Sequence, residues 1–316
     1  MNKVFLLCLL FFQNCLYASE QTFYEMDPSV LKNIKVVEEI YEDGIQVDWV
    51  EALGPLDLRD GSAPSKLQID YESASVHYSS WHWVLGTSKM ARNYGAKGFK
   101  REWRCGNSEN VLANILIPAS FLNEDKNELE LLLHRAISVA VYNVIKRIFE
   151  EEERMNPNFP KKSVKLKWIN DVMVNGKKIC GIKPDDFMDF PAVSSYQFAV
   201  NVNMSQDELN EVDQSATSLA VECGHNFDRQ KVTREILIEL IHIMNRYKYD
   251  LDGLDQIFSS KMCFIGEPVI VYDAEPGKDV SGVLESVSGG RLYIRGADKN
   301  LNIIYPGSGI LRKLSQ

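Results

Sequence analysis

The chain has 316 residues, 45% apolar and 25% charged, enough for two domains with sizeable cores. Its 35 Lys and Arg face 44 Asp and Glu, a net charge of -9. That is the wrong sign for a general nucleic-acid binder, which needs a basic surface to displace counterions from phosphate. No apolar run reaches the roughly 20 residues of a membrane helix, so no stable membrane association is expected. The six cysteines (Cys8, Cys15, Cys105, Cys180, Cys223, Cys263) are scattered, with no CxxC pair and no His at ligand spacing. This argues against a structural zinc site and against a disulfide framework, and for mostly free thiols.

At the N-terminus, Lys3 precedes an apolar run over residues 4–12, and Leu16-Tyr17-Ala18-Ser19 follows. This is the pattern of a secretory signal peptide; a buried first strand or helix is the alternative. The signal reading sets residues 1–18 apart from the fold. Residues 19–65 then form an acidic, weakly patterned extension with a few short elements, punctuated by Gly44, Gly54, Pro55, Gly61 and Pro64, with no helix-turn-helix pattern.

From residue 66 the pattern strengthens. Residues 67–71 alternate like a strand. Ser73-Ala74-Ser75 supplies hydroxyls to cap a helix over 76–85, which Gly86 stops. A strand over 87–92 and a glycine-bearing loop over 94–98 come next. Residues 111–117 are near-continuously apolar and read as a buried strand. A long amphipathic helix follows over 128–148, ended by Pro157 and Pro160. His134 on it reads as a surface or satisfied helix residue, not a catalytic one. Strands are expected over 164–168, 171–174, 178–182 and 197–202. Asn175-Gly176 marks a tight hairpin, because both turn residues tolerate positive φ. A second helix spans 229–247. After Phe264 short strands alternate with turn clusters such as Glu275-Pro276-Gly277-Lys278 and Ser288-Gly289-Gly290, the texture of a small all-β barrel. The fold class expected is α+β: a mixed, mainly antiparallel sheet with helices packed on it, over 66–263, then a small β-barrel over 264–316.

One stretch carries chemistry. In Lys167-Trp168-Ile169-Asn170-Asp171 a strand ends in a polar pair, and the hairpin returns Lys178 on the next strand, three residues before Gly181. A Lys held on a rigid strand is a point charge suited to carboxylate and phosphate oxygens. Gly181 lets a ligand or another backbone come close. The plain alternative is an ordinary hairpin with solvated Lys177 and Lys178.

These residues resemble the K-W-P-N-D…K-x-x-G signature of the biotin protein ligases and their lipoate-ligase relatives, with Ile169 where the family usually has Pro. Other segments fall in the family's order. Residues 91–98, followed by Trp103, are similar to its glycine-arginine loop, although Phe99 stands where a second Arg is expected. Asn110-Val111-Leu112-Ala113-Asn114 resembles the segment after that loop. Val200-Asn201-Val202-Asn203 resembles its G-I-N-V-N strand, with Ala199 for the glycine, and Ala216-Thr217-Ser218-Leu219 matches its A-T-S-L. The tail from Phe264 resembles the SH3-like domain of the biotin ligases.

The resemblance implies an ATP-dependent ligase. It would join biotin to AMP and then pass the biotinyl group to a lysine on the biotin-carrier domain of a carboxylase, with Mg²⁺ carried by ATP. It implies Lys178, Lys97 and Asp171 as catalytic. Ser73, Ser75, Asn93, Ala96, Lys97, Gly98 and Lys178 would line the biotin site. Lys100, Arg101, Trp103, Asn170 and Asn201 would meet the nucleotide. No protein nucleophile is needed, since the mixed anhydride is itself the activated species. The resemblance leaves the oligomeric state open, a homodimer included. It places the protein in the cytoplasm or in an organelle to which the signal-like N-terminus directs it. Two alternatives stay open: a lipoate or octanoate ligase, and a non-catalytic binding relative, which Phe99 favours.

Overall fold

The computed structural model describes residues 34–52, 56–57, 82–88, 91–92, 110–118, 121, 126–184, 193–210, 214–306 and 309–314. The chain divides into two compact units. One comprises residues 1–107, 112–129 and 185–197, the other 108–111, 130–184 and 198–316. The main sheet is mixed and mostly antiparallel, as the sequence implied.

In the first unit, β1 (Ile34–Glu42) and β2 (Ile45–Ala52) form an antiparallel hairpin. Its two-residue turn, Asp43-Gly44, has both φ angles positive, the geometry that matches strand twist. Ile40, Ile45, Val47 and Trp49 are buried, so the short elements expected in this extension include two paired strands of the main sheet. The Asp-Gly dipeptide was the available signal. A two-residue strand β3 (Leu56–Asp57) follows, then β4 (His82–Ser88), which pairs in parallel with β2, and β5 (Ala91–Arg92), which pairs with β3. β6 (Val111–Pro118) runs antiparallel to β4.

The helix expected over 76–85 is therefore corrected for its last four residues, which are strand. Trp83, Val84 and Leu85 are all buried, and Gly86, read as a helix stop, lies within β4 opposite Asn114. Pairing on both sides of β4 overrides local helix preference. Two polar contacts satisfy the buried interior here: Trp49 Nε1 donates to Thr87 Oγ1 at 2.8 Å, and Ser195 Oγ donates to Asn114 Oδ1 at 2.9 Å.

The long helix is α1 (Lys126–Met155), as its periodicity predicted. In the second unit it packs on α4, introduced below. Asn143 Nδ2 donates to Glu239 Oε1 at 2.8 Å, and Arg147 meets Glu235 and Glu239. Three antiparallel strands carry the lysine motif: β7 (Val164–Lys167), β8 (Asp171–Val174) and β9 (Lys177–Pro184). β10 (Val193–Val200), α2 (Gln206–Asn210), α3 (Leu219–Cys223), α4 (Arg229–Tyr247) and α5 (Leu251–Ser260) follow. Asp228 caps α4 by accepting from the backbone N–H groups of Gln230 and Lys231.

The switch to β structure falls between Ser260 and Pro268. β11 (Pro268–Glu275), β12 (Lys278–Ser288), β13 (Arg291–Arg295), β14 (Leu301–Ile304) and β15 (Ile310–Lys313) make a separate antiparallel sheet in the order β14-β13-β12-β11-β15. The barrel expected from sequence is an open sheet: among the described residues no ladder joins β14 to β15. Both edge strands are only four residues long, too short for a long closing ladder. A bulge between Leu284 and Ser286 twists β12.

His134 sits on α1 beside Phe258, ring centroids 6.2 Å apart. Burial, aided by the adjacent Arg135 charge, pushes its imidazole down to about 4 from the ordinary 6.5. The folded chain thus resists protonation that the unfolded chain accepts. The associated stability is whole above pH 6.5 and is lost as the pH falls toward 4, up to about 3 kcal/mol. Urea unfolding at pH 7 and pH 4.5 should show this loss, and His134→Leu should reduce it. Equal losses in the two proteins would refute the assignment.

Candidate functional site

The lysine hairpin is built by its turn and by one irregularity. Asn175 and Gly176 have φ of 49° and 80°, which closes a two-residue hairpin as predicted. Asn175 also exchanges hydrogen bonds with Ser163, its N–H donating to Ser163 O and its Oδ1 accepting the Ser163 N–H, both at 2.9 Å. Beyond the turn the register shifts. Lys178 lies opposite Met173, but Cys180 lies opposite Val172, leaving Ile179 as an extra residue on β9. In a regular strand Lys178 and Gly181, three apart, would face opposite sides. The bulge puts them on one side and sets Gly181 directly across from Asp171. The K-x-x-G spacing thus fits a bulge that places a residue without a side chain directly across from Asp171.

Three charges converge there. Lys178 Nζ is 2.6 Å from Asp171 Oδ1, and Lys167 Nζ is 3.8 Å from Asp171 Oδ2. The side chains of Asp171 and Lys167 are 10% and 8% exposed, that of Lys178 20%. Burial pushes the Lys167 ammonium down to about 8, against the pull of Asp171 and with help from Arg312 and Lys178. Cys180, on β9 beside Lys178, is driven up by burial. Cys263 is pushed up to about 12 for the same reason. Both thiols stay protonated at neutral pH and are poor nucleophiles.

The backbone of Lys178 is clamped by residues 215–217. Lys178 N–H donates to Ser215 O at 2.9 Å, and Thr217 N–H donates to Lys178 O at 2.8 Å. Asn201 bridges the same parts: its N–H donates to Ile179 O, and its Nδ2 donates to Thr217 O at 3.0 Å. Ser218 caps α3 by accepting the Val221 N–H. Within the A-T-S-L run, Thr217 holds the Lys178 backbone, Ser218 caps α3 and Leu219 is buried. Asn110 Oδ1 accepts the N–H groups of Val202 and Asn203 and so fixes the segment after Asn201.

The structure brings Lys178 and Asp171 together, and it ties Asn201 to Ile179 and Thr217, the residues that flank the Lys178 backbone. Asn170 lies at the other end of β9, where its carbonyl accepts the Ile182 N–H at 2.8 Å. Ser73, Ser75, Asn93, Ala96, Lys97, Gly98, Phe99, Lys100, Arg101 and Trp103 lie outside the described residues. Sequence reasoning gave no role to Lys167 although it lay in the motif. It also missed the buried pair Lys162–Glu222, at 2.7 Å, whose Glu222 Oε1 accepts from Thr217 Oγ1 at 2.7 Å. No local signal links residues 60 apart in sequence.

Trp168 Nε1 donates to Gly290 O at 2.8 Å, in the turn between β12 and β13. The adjoining Gly289 N–H donates to Asp255 Oδ2 at 2.8 Å, and Asp255 Oδ1 is 3.0 Å from Arg135 Nε. The Trp168–Ile169 peptide is cis.

Residues 105–187 match the Biotin/lipoate A/B protein ligase family. Over 79 residues the chain is 34% identical to the bifunctional ligase/repressor BirA of Bacillus subtilis, a match that covers 23% of each protein. The fold is similar to that of a biotin protein ligase from Aquifex aeolicus in complex with biotin and ATP. There the TM-score is 0.60 with 19% identity, over 85% of this chain and 99% of that one. A biotin protein ligase-like protein of unknown function from Silicibacter is also similar, with a TM-score of 0.50 and 14% identity over 84% of this chain and 96% of its own. No helix among the described residues is long and apolar enough to cross a membrane.

Proposed function

We propose, from the match of residues 105–187 to the Biotin/lipoate A/B protein ligase family, that the chain is an ATP-dependent biotin protein ligase. In the first step a biotin carboxylate oxygen attacks the α-phosphorus of ATP. The bond to the β-phosphate oxygen breaks, and pyrophosphate leaves with the Mg²⁺ that ATP brought. In the second step the ε-amine of an acceptor lysine attacks the carbonyl carbon of biotinyl-5′-AMP, the C–O bond to AMP breaks, and the amine loses a proton. The acceptor is the biotin-carrier domain of a carboxylase.

The observation that carries this reading is Lys178, a partly exposed cation fixed on a bulged strand and clamped from both backbone sides. Bringing two anions together needs a fixed positive charge that does not reorganise during reaction. Asp171 pairs with that lysine and lies across the ladder from Gly181. Asn201 is placed by Thr217 next to the same strand. The resemblance adds Lys97, Lys100, Arg101 and Trp103 as a loop that closes over the adenylate and keeps water off it. Ser73, Ser75, Asn93, Ala96 and Gly98 complete the biotin site.

The five-stranded C-terminal sheet favours biotin over lipoate or octanoate. Incubation of the full chain with MgATP, a biotin-carrier domain and either biotin or lipoate, followed by intact-mass measurement of the acceptor, tests this. The expected result is an acceptor modified with biotin and not with lipoate. Modification with lipoate alone, or none with either acid, would overturn the reading.

A further inference from the structure

The lysine needed by the proposed reaction is engaged with a carboxylate. Lys178 Nζ lies 2.6 Å from Asp171 Oδ1. The Lys178 ammonium has three N–H donors, and substrate anions that draw it outward would lengthen that pair. A carboxylate as buried as Asp171 is strongly disfavoured without a partner.

A second cation stands ready on the other side. Lys167 is directly across from Asp171 in the β7–β8 ladder, its Nζ 3.8 Å from Asp171 Oδ2. That distance is an ion pair without a hydrogen bond. An approach of about 1 Å would make it a charge-assisted one, and the rotatable Lys stem supplies this without backbone movement.

We propose that Lys167 is the exchange counter-ion of the site: as substrate anions draw Lys178 away, Lys167 takes over Asp171, and in alkaline solution its neutral fraction gains a proton from solvent. This rests on the reading that Lys178 contacts the substrate. The charged and titratable groups facing Lys167 are Asp171 on β8, Lys178 on β9, Arg312 on β15 and the thiol of Cys263. Arg312 repels Lys167 in both states, and its effect cancels. The Cys263 thiol is neutral below about 12 and does not compete for the carboxylate. Withdrawal of Lys178 removes one repelling cation and frees the carboxylate for Lys167. Both changes raise its affinity for a proton from the starting value of about 8. The ammonium then supports Asp171 while Lys178 serves the reaction, so Lys167 acts as a positioning residue.

The test is calorimetric titration of the full chain with a non-reacting biotinyl-adenylate analogue, in pairs of buffers with different ionisation enthalpies. The expected result is uptake of about half a proton or more per site at pH 8.5, falling to nearly none at pH 6.5, where Lys167 is already charged. Lys167→Arg, charged at every pH, and Lys167→Gln, neutral at every pH, should each bind without the uptake. Binding by the parent without uptake at pH 8.5, or the same uptake in either variant, overturns the exchange and leaves the ligase reading standing. Absence of any binding by the parent overturns the ligase reading and the exchange with it.

Discussion

Lys178→Ala is expected to slow pyrophosphate release from ATP and biotin about a hundredfold or more, while Lys177→Ala changes it by less than about threefold. A lysine on carboxylate and phosphate oxygens makes charge-assisted bonds of about 1.5–3 kcal/mol each, and two such bonds lost in the transition state give that factor. Lys178 is aimed by the bulge at Ile179 and held through its own N–H and C=O by Ser215 and Thr217. Removing its side chain leaves those backbone bonds in place, and Asp171 keeps Lys167 as a partner, so the fold should survive. Lys177 sits at the hairpin turn opposite Val174, away from this convergence. The rates are to be compared at saturating ATP and biotin, with circular dichroism to confirm folding. If Lys178→Ala keeps a tenth of the parent rate, the hairpin is not where charge is stabilised. If Lys177→Ala is the inactive variant, the wrong lysine has been assigned.

Asp255→Ala should destabilise the second unit by about 3–5 kcal/mol, because it strips Arg135 of its counter-ion inside the protein. The side chains of Arg135 and Asp255 are only 6% and 12% exposed. The same change removes the acceptor of the Gly289 N–H and so loosens the turn whose Gly290 carbonyl holds Trp168. The effect therefore reaches the entry to the lysine hairpin. Arg135→Met combined with Asp255→Leu should recover much of the loss, since a buried pair replaced by apolar groups is often neutral. Urea unfolding of the parent, the single variant and the double variant checks this. A single variant as stable as the parent, or a double variant worse than the single, would show that the pair is not the anchor inferred.

The features that read well from sequence are those whose cause is local. α1 announces itself by apolar spacing, and the hairpin at 175–176 by a dipeptide whose residues tolerate positive φ. Lys178 and Asp171 are close because one strand pairing brings them close, and the motif contains both halves of it. What was missed depends on partners distant in the chain. β4 looked helical because the strands on either side of it, β2 and β6, come from residues 45–52 and 111–118. β1 and β2 were expected only as short elements of unassigned type, although Asp43-Gly44 marks their turn, because the acidic residues around it hid the alternation. The bulge at Ile179 is a pairing irregularity that composition does not show. The Lys162–Glu222–Thr217 chain behind Lys178 joins three segments that sequence spacing does not connect. Lys167 was in view but unassigned, because only its burial and its place opposite Asp171 separate it from an ordinary strand lysine.

The most direct test is detection of the intermediate itself. The full chain is incubated with MgATP and biotin without an acceptor, quenched, and its small molecules are read by mass spectrometry. Biotinyl-5′-AMP should form together with pyrophosphate, depend on both biotin and ATP, and be nearly absent with Lys178→Ala. No adenylate from the folded parent protein, or an adenylate formed with lipoate or octanoate but not with biotin, would contradict the assignment of this chain as a biotin protein ligase.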